Sequence, residues 1–572
     1  MKNKAALLIM MGISTIALSA CSFFSRINRN SGEYTYQDIS QSSKSNGGDN
    51  NSSSNGNSYT PPAGELTANK ASYKYSDVID NSVYCLSATP SVGNTKLLVI
   101  PVWFTDSSTF IRDNTKKENV RSDIENTYFG KSTDTRWRTV KTYYEEESQG
   151  SLTLTGTVSE WYSCGKAYSY YASDPASSTS GAPKTSDLVE TATNWYFSNH
   201  ANESRRDYDS DGDGFLDGIM LIYGAPNYTS LYPNYKNMSD RDLQKINNLW
   251  AFCFWIQDPD VQKPASPGVN AFFWASYDFM YGSEVASARS GSNYHGGDTS
   301  HCNLDAHTYI HEMGHMFGLE DYYDYSSNNY QPAGAFSMQD HNVGGHDPFS
   351  VYALGWGKAY IPTETVSINL KPFSTSGEMI LLTPSWNENN SPFDEYLLLE
   401  YYTTDGLNTF DTTYNYMSTS KNYPEGSKTP GIRLWHVDAR LVYTASNRFI
   451  KGQVTTNPNL YVGGVHQRVA IMMSNTYYDG TSHSENYCSV LGTEYANYNL
   501  LQMIRNDRFA TYKPTDMLSA SSLFKAGDTF TMSNFSRQFV NSGKFNSKKD
   551  LGFTFTVNAC NGDYASISVQ KL

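Results

Sequence analysis

Residues 311–325 read "HEMGHMFGLEDYYDY". On a helix, residues four apart share one face, so His311 and His315 can turn both imidazoles toward a single metal ion. Glu312 lies between them in sequence, placed to take a proton from a water on that ion. The preceding "DAHTYI" extends the helix backward, with Asp305 as a candidate N-cap. Gly318 can adopt a positive φ, end the helix and swing the chain back.

Two histidines do not complete a zinc site, which takes three protein ligands and leaves one position open when it is catalytic. A thermolysin-like site draws a Glu from a second helix. Here no Glu occurs from Asp321 to Thr363, and the next after Glu320 is Glu364. The metzincin pattern H-E-x-x-H-x-x-G-x-x-H is followed as far as Gly318, and Asp321 stands where the third His would be. Asp321 is therefore the expected third ligand, and Met338 in "AFSMQD" the expected Met-turn residue. Asp324, Asp340, His341, His346 and Asp347 remain rivals. His307, one turn before His311, is expected to lie outside the ligand set.

A second constellation lies upstream. "DYDSDGDGFLDG" (Asp207–Gly218) holds five Asp in eleven residues. Asp209, Asp211, Asp213, Gly214 and Asp217 match positions 1, 3, 5, 6 and 9 of an EF-hand-type loop. Position 12 is Met220, so the bidentate Glu is missing, and the loop runs into the apolar "GIMLIYGA". Adjacent carboxylates repel unless a cation offsets them, so a truncated calcium loop is expected.

The chain has 572 residues and a formal charge of −14, which argues against a nucleic-acid partner. Lys2 and Lys4 precede the apolar run "AALLIMMGISTIAL", which ends in "LSAC". That is the form of a bacterial lipoprotein signal over 1–20, with Cys21 lipidated and holding the protein at the extracellular face of the cell membrane. Residues 21–66 are rich in Ser, Asn and Gly and read as a disordered tether with a reach of roughly 35–40 Å. The six further Cys show no metal-type spacing.

Patterned sequence follows. "TKLLVIPVWF" and "GIMLIYGA" read as buried strands, "SLTLTGTVSEWY" as an alternating strand, and "ENVRSDIENTYFG", "VKTYYEEES" and "SDLVETATNWYFSNH" as helices, the last with Ser186 as N-cap. A catalytic domain is expected over 67–360. Beyond it "EYLLLEYY", "GIRLWHVD", "RVAIMM", "DTFTM", "GFTFTV" and "YASISV" are short strands between Gly, Asn, Pro and Ser, so 361–572 reads as a β-sandwich-like module. The fold class is α+β. His436 and Asp438 read as hydrogen-bonded residues packing the module onto the catalytic domain.

Taken in order, "LLVIPVWFTD", "VKTYYEEESQGSLTLTGTVSEWY", the Asp-rich loop, "HEMGHMFGLEDYYD", "DPFSVYALGW", "EYLLLEYY" and "GIRLWHVD" resemble the immune inhibitor A family of secreted bacterial metallopeptidases. The resemblance implies a metzincin-like zinc endopeptidase, probed best with extracellular protein or peptide substrates, with structural calcium and a β-rich C-terminal region. It implies His311, His315 and Asp321 as zinc ligands and Glu312 as general base and acid, and the expected partners are extracellular protein or peptide substrates. A pro-segment, with Cys85 in it, would fall within Leu66–Asn94. A monomer is expected. The alternative is a catalytically silent surface protein binding glycans or proteins on the same fold; Glu312 speaks against it, because binding alone does not need that residue.

Overall fold

The computed structural model describes residues 66–572 except 83–85, 136, 174–183, 257–262, 282–303, 326–329, 414–425, 446–447, 478–494, 496–497, 508–510 and 513–518. The signal segment, Cys21, almost all of the tether and Cys85 lie outside the described residues. No helix among the described residues is long and apolar enough to cross a membrane.

The N-terminal half is built on one sheet: β1 (Gly93–Trp103), β2 (Leu152–Val158), β3 (Tyr162–Ser163), β4 (Ile219–Tyr223), β5 (Phe252–Trp255) and β6 (Ala271–Ser276). The order is β2-β1-β4-β6-β5, with β3 continuing beside β1. All pairings are parallel except β5, which closes one edge antiparallel to β6. Helices cover both faces, and this is why "LLVIPVW" and "IMLIY" are unbroken apolar runs. Leu97, Val99, Met220 and Ile222 face a core shared with α2 (Asn114–Phe129), α3 (Val140–Glu147) and α5 (His307–Met316). Leu98, Ile100, Ile219 and Leu221 face the opposite core, closed by α4 (Lys184–Asn199). A short helix, α1 (Tyr75–Asp80), precedes the sheet. The expected N-cap Ser186 lies inside α4, which begins at Lys184.

After α6 (Pro348–Ala353) the chain enters β structure. Strands β7 (Lys358–Tyr360), β9 (Glu378–Leu382), β10 (Glu395–Tyr402), β11 (Gly431–Asp438) and β17 (Leu501–Ile504) form one sheet, in the order β17-β11-β10-β9-β7. Strands β8 (Val366–Leu370), β18 (Thr529–Phe530), β19 (Phe553–Cys560) and β20 (Ala565–Lys571) form another, in the order β18-β19-β20-β8. The two sheets share a core containing Leu397, Leu399, Ile432 and Leu434 from one and Phe555, Val557, Ile567 and Val569 from the other. Between them in sequence, β12 (Leu441–Ala445), β13 (Arg448–Thr455) and β16 (Val469–Ile471) make a small sheet, and β14 (Tyr461–Val462) and β15 (Val465–His466) a hairpin.

The reverse face of β10 and β11 is buried too. Tyr396, Leu398, Trp435 and Val437 join the same core as α5, which explains why both strands are buried along their whole length. Alternation along β11 also corrects the reading of His436 and Asp438. They fall on the face of Ile432 and Leu434, turned into the β-rich region itself and away from the N-terminal half. His436 Nε2 lies 3.0 Å from Glu395 Oε1, with its ring against Phe539 and Phe545. Asp438 accepts from Arg440 at 2.7 and 2.8 Å and from Asn546 at 2.9 Å.

Candidate metal centre

Helix α5 is fixed from three directions. Tyr309 donates to Ser276 O at 2.7 Å, Tyr144 to Ile310 O at 2.6 Å, and Cys253, on edge strand β5, to Glu312 O at 3.0 Å. Asp305, the expected N-cap, accepts from His307 N at 2.9 Å but stands one residue before the observed N-cap, Ala306. The helix ends at Met316, and Gly318 adopts φ +98°, a region that penalises any side chain. The following chain therefore doubles back over the histidines.

That return brings His311, His315 and Asp321 together. Asp321 Oδ1 lies 3.0 Å from His311 Nε2 and 3.3 Å from His315 Nε2. The outer nitrogens are committed: His311 Nδ1 donates to Met338 O at 2.7 Å and His315 Nδ1 to Leu319 O at 2.8 Å. A carbonyl can only accept, so both Nδ1 atoms carry protons, and each imidazole, when neutral, points an Nε2 lone pair at the carboxylate. Lone pairs facing each other at this distance repel unless a cation stands among them. His311 Nε2 and Asp321 Oδ1 are buried and lack hydrogen-bond partners. A tetrahedral zinc with bonds of about 2.0–2.1 Å spaces its ligand atoms about 3.3–3.4 Å apart, close to the separations here. The residues present fit zinc.

Without a metal, protons take the cation's place. Burial alone would lower the His315 pKa, but Asp321 beside it overrides this and raises it to about 10. Burial works to raise Asp321, yet the two imidazoles hold its carboxyl far below the usual range. Tyr325 donates to the other oxygen, Asp321 Oδ2, leaving Oδ1 facing the histidines. Glu312 is 3% exposed, and burial pushes its carboxyl up against the opposing pull of His315 and His311.

The rival ligands are engaged elsewhere. Asp324 accepts from Tyr477 N at 2.9 Å. Asp340 contacts His341 and accepts from Ala335 N at 3.0 Å. His346 lies 2.9 Å from Tyr143 Oη, and Asp347 caps α6 through Ser350 N at 2.9 Å. His307 Nε2 lies 2.9 Å from Asn342 O. Gln339 packs against α5 so closely that a Cβ on Gly314 would overlap its side chain.

In the acidic loop, Asp209, Asp211 and Asp217 converge. Asp213 is not in that group; its oxygens accept from Ser87 Oγ at 2.7 Å and Phe215 N at 2.8 Å. Asp209 Oδ1 is buried without a partner. Burial is the main cause that pushes Asp217 up to about 8 and Asp211 up to about 6, with neighbouring carboxylates adding to both. Sequence reasoning missed Asp80 on α1, which burial and then Asp213 and Asp211 raise to about 7. No local spacing could have placed it there.

Two histidines and a carboxylate converging beside a buried glutamate define a metallopeptidase-type centre, and comparison with known proteins gives the same class. Residues 89–226 match the family described as immune inhibitor A peptidase M6, catalytic domain. The similarity runs from the start of the sheet through β4 and ends before the helix of His311, and it supports a metallopeptidase. No curated protein matches the chain significantly.

Proposed function

We propose that this protein is a zinc metalloendopeptidase of metzincin-like architecture that cuts extracellular proteins while lipid-anchored through Cys21 at the cell surface. The observation that carries the catalytic part is the buried, partnerless pair His311 Nε2 and Asp321 Oδ1, with His315 Nε2 beside them. These three atoms would hold the zinc. When bound, zinc supplies Lewis acidity toward the scissile carbonyl and the attacking water. Glu312 accepts the proton of that water and returns it to the leaving amine. Met338 O and Leu319 O keep both imidazoles in the tautomer that presents Nε2. Asp209, Asp211 and Asp217 would hold a calcium ion that stiffens the entry to β4. The signal and anchor at 1–21 rest on the sequence pattern, and a monomer is the working state.

The test is Glu312→Gln in the full chain, with casein as substrate. Cleavage is expected to fall by about 10²- to 10⁴-fold, while zinc stays near one per chain. Undiminished cleavage by this variant contradicts the mechanism.

A further inference from the structure

The loop that carries Asp321 is not held by the catalytic half alone. Tyr322 is fully buried, and its N–H donates to Gln339 O at 2.9 Å. Its carbonyl accepts from Asn475 Nδ2 at 2.9 Å. Asn475 is 1% exposed and lies beyond β16, in the β-rich region. The same amide donates to Leu501 O at 2.8 Å and accepts from Leu501 N at 3.0 Å, which clamps it onto β17. Two residues further on, Tyr477 N donates to Asp324 Oδ1 at 2.9 Å. The segment leading to the Met338 turn is tied in the same way, since Met503 N donates to Pro332 O at 2.9 Å.

We infer that Asn475 is a positioning residue for the metal: the β-rich region acts through it as the outer wall of the zinc site, holding the Tyr322–Tyr323 peptide beside Asp321 so that Oδ1 faces both imidazoles. This rests on the reading of His311, His315 and Asp321 as zinc ligands. The physical ground is that a buried peptide carbonyl keeps its partner. With Asn475 removed, Tyr322 O must turn to find another donor. That carbonyl belongs to the Tyr322–Tyr323 peptide, so its turn displaces the chain on both sides: Asp321 just before Tyr322, and Tyr325, which donates to Asp321 Oδ2, just after. The 311–325 stretch therefore lacks part of what makes it a metal site, and the missing part comes from the far end of the chain.

The test uses the full chain with zinc alone as the probe. Zinc affinity is measured by competition with a chromogenic chelator, and the melting temperature of the metal-free protein is recorded beside it. Asn475→Ala removes the clamp. Asn475→Asp keeps the size and the acceptor for Leu501 N, loses both donated bonds, and serves if the first variant does not fold. Gln538→Leu is the control: Gln538 is an equally buried amide that brackets Arg505 N and O, at 2.7 Å each, away from the Asp321 loop.

Both Asn475 variants are expected to bind zinc about 10- to 100-fold more weakly, and Gln538→Leu to melt lower with zinc affinity unchanged. Wild-type affinity in the Asn475 variants overturns the inference. So does a loss of affinity in all three variants that merely follows their loss of melting temperature. The metal reading itself fails, and takes this inference with it, if the wild type binds no zinc or if His315→Ala binds as tightly as the wild type.

Discussion

The two clusters of metal-type side chains in this chain are built in opposite ways. The acidic loop is local: Asp209, Asp211 and Asp217 converge within nine residues, and their carboxylates accept from backbone N–H groups of the same loop, Asp217 from Ser210 N and Asp209 from Gly214 N. The histidine centre begins locally, with one helical turn, and is then finished by distant segments. Met338 and Gln339 reach it from the following turn and Asn475 from the β-rich region. A local cluster depends on charge balance, because its carboxylates crowd whatever the rest of the fold does. An assembled centre depends on the orientation of each ligand, so it is sensitive to groups that never touch the metal.

The sharpest way to break this comparison is a crossed pair of variants. Asp321→Ala should weaken zinc binding by more than the ~100-fold upper range for outer-sphere changes, and should leave calcium-induced stabilisation intact. Asp211→Ala should do the reverse. Isothermal titration of each ion against each variant checks this; a variant that weakens both ions equally would mean the two clusters are not separate. The next effect is smaller. Tyr325→Phe removes the donor to Asp321 Oδ2 and should cost about 10-fold in zinc affinity, measured by chelator competition. Unchanged affinity would mean that the carboxylate is oriented by the backbone alone.

The smallest effect concerns the acidic loop. Asp217 is raised to about 8, Asp80 to about 7 and Asp211 to about 6, with burial the leading cause in each. Unfolded Asp titrates near ~4, so across this window the folded state binds more protons than the unfolded one. The calcium-free protein should therefore lose stability as pH rises from about 4 toward 8. A calcium ion bound there would replace those protons, so its stabilising shift in melting temperature should be larger at pH 8 than at pH 5. Glu147, raised by burial to about 8, adds to the same fall and should not respond to calcium. An equal calcium shift at both pH values would count against a cation at this loop.

The sequence made some of this legible and hid the rest for physical reasons. Apolar runs such as "LLVIPVW" announced strands buried on both faces, because a sheet covered by helices leaves no polar face to alternate with. "GIRLWHVD" announced a buried strand equally well, but not which neighbour each face meets, and that is where the expected packing of His436 and Asp438 against the N-terminal half fails. The spacing of His311, His315, Gly318 and Asp321 pointed to groups that do meet in space, since a helical turn and a positive-φ glycine are local events. Tyr325, Asn475 and Asp80 carried no such signal. Tyr325 lies only four residues from Asp321, but in an irregular segment whose path spacing does not set; Asn475 and Asp80 act across the tertiary fold, and Asn475 lies 154 positions beyond Asp321. The "YYDY" end of the opening stretch divides accordingly: Tyr325 turns inward to Asp321, and Asp324 turns outward to Tyr477.

The central claim is that one zinc ion is held by His311, His315 and Asp321. Anomalous diffraction at the zinc absorption edge, from crystals of the full chain, tests it most directly. The account predicts a single peak about 2.0–2.2 Å from His311 Nε2, His315 Nε2 and Asp321 Oδ1. A peak coordinated by Asp324 or a downstream histidine in place of Asp321, or no peak between the two imidazoles, would contradict it.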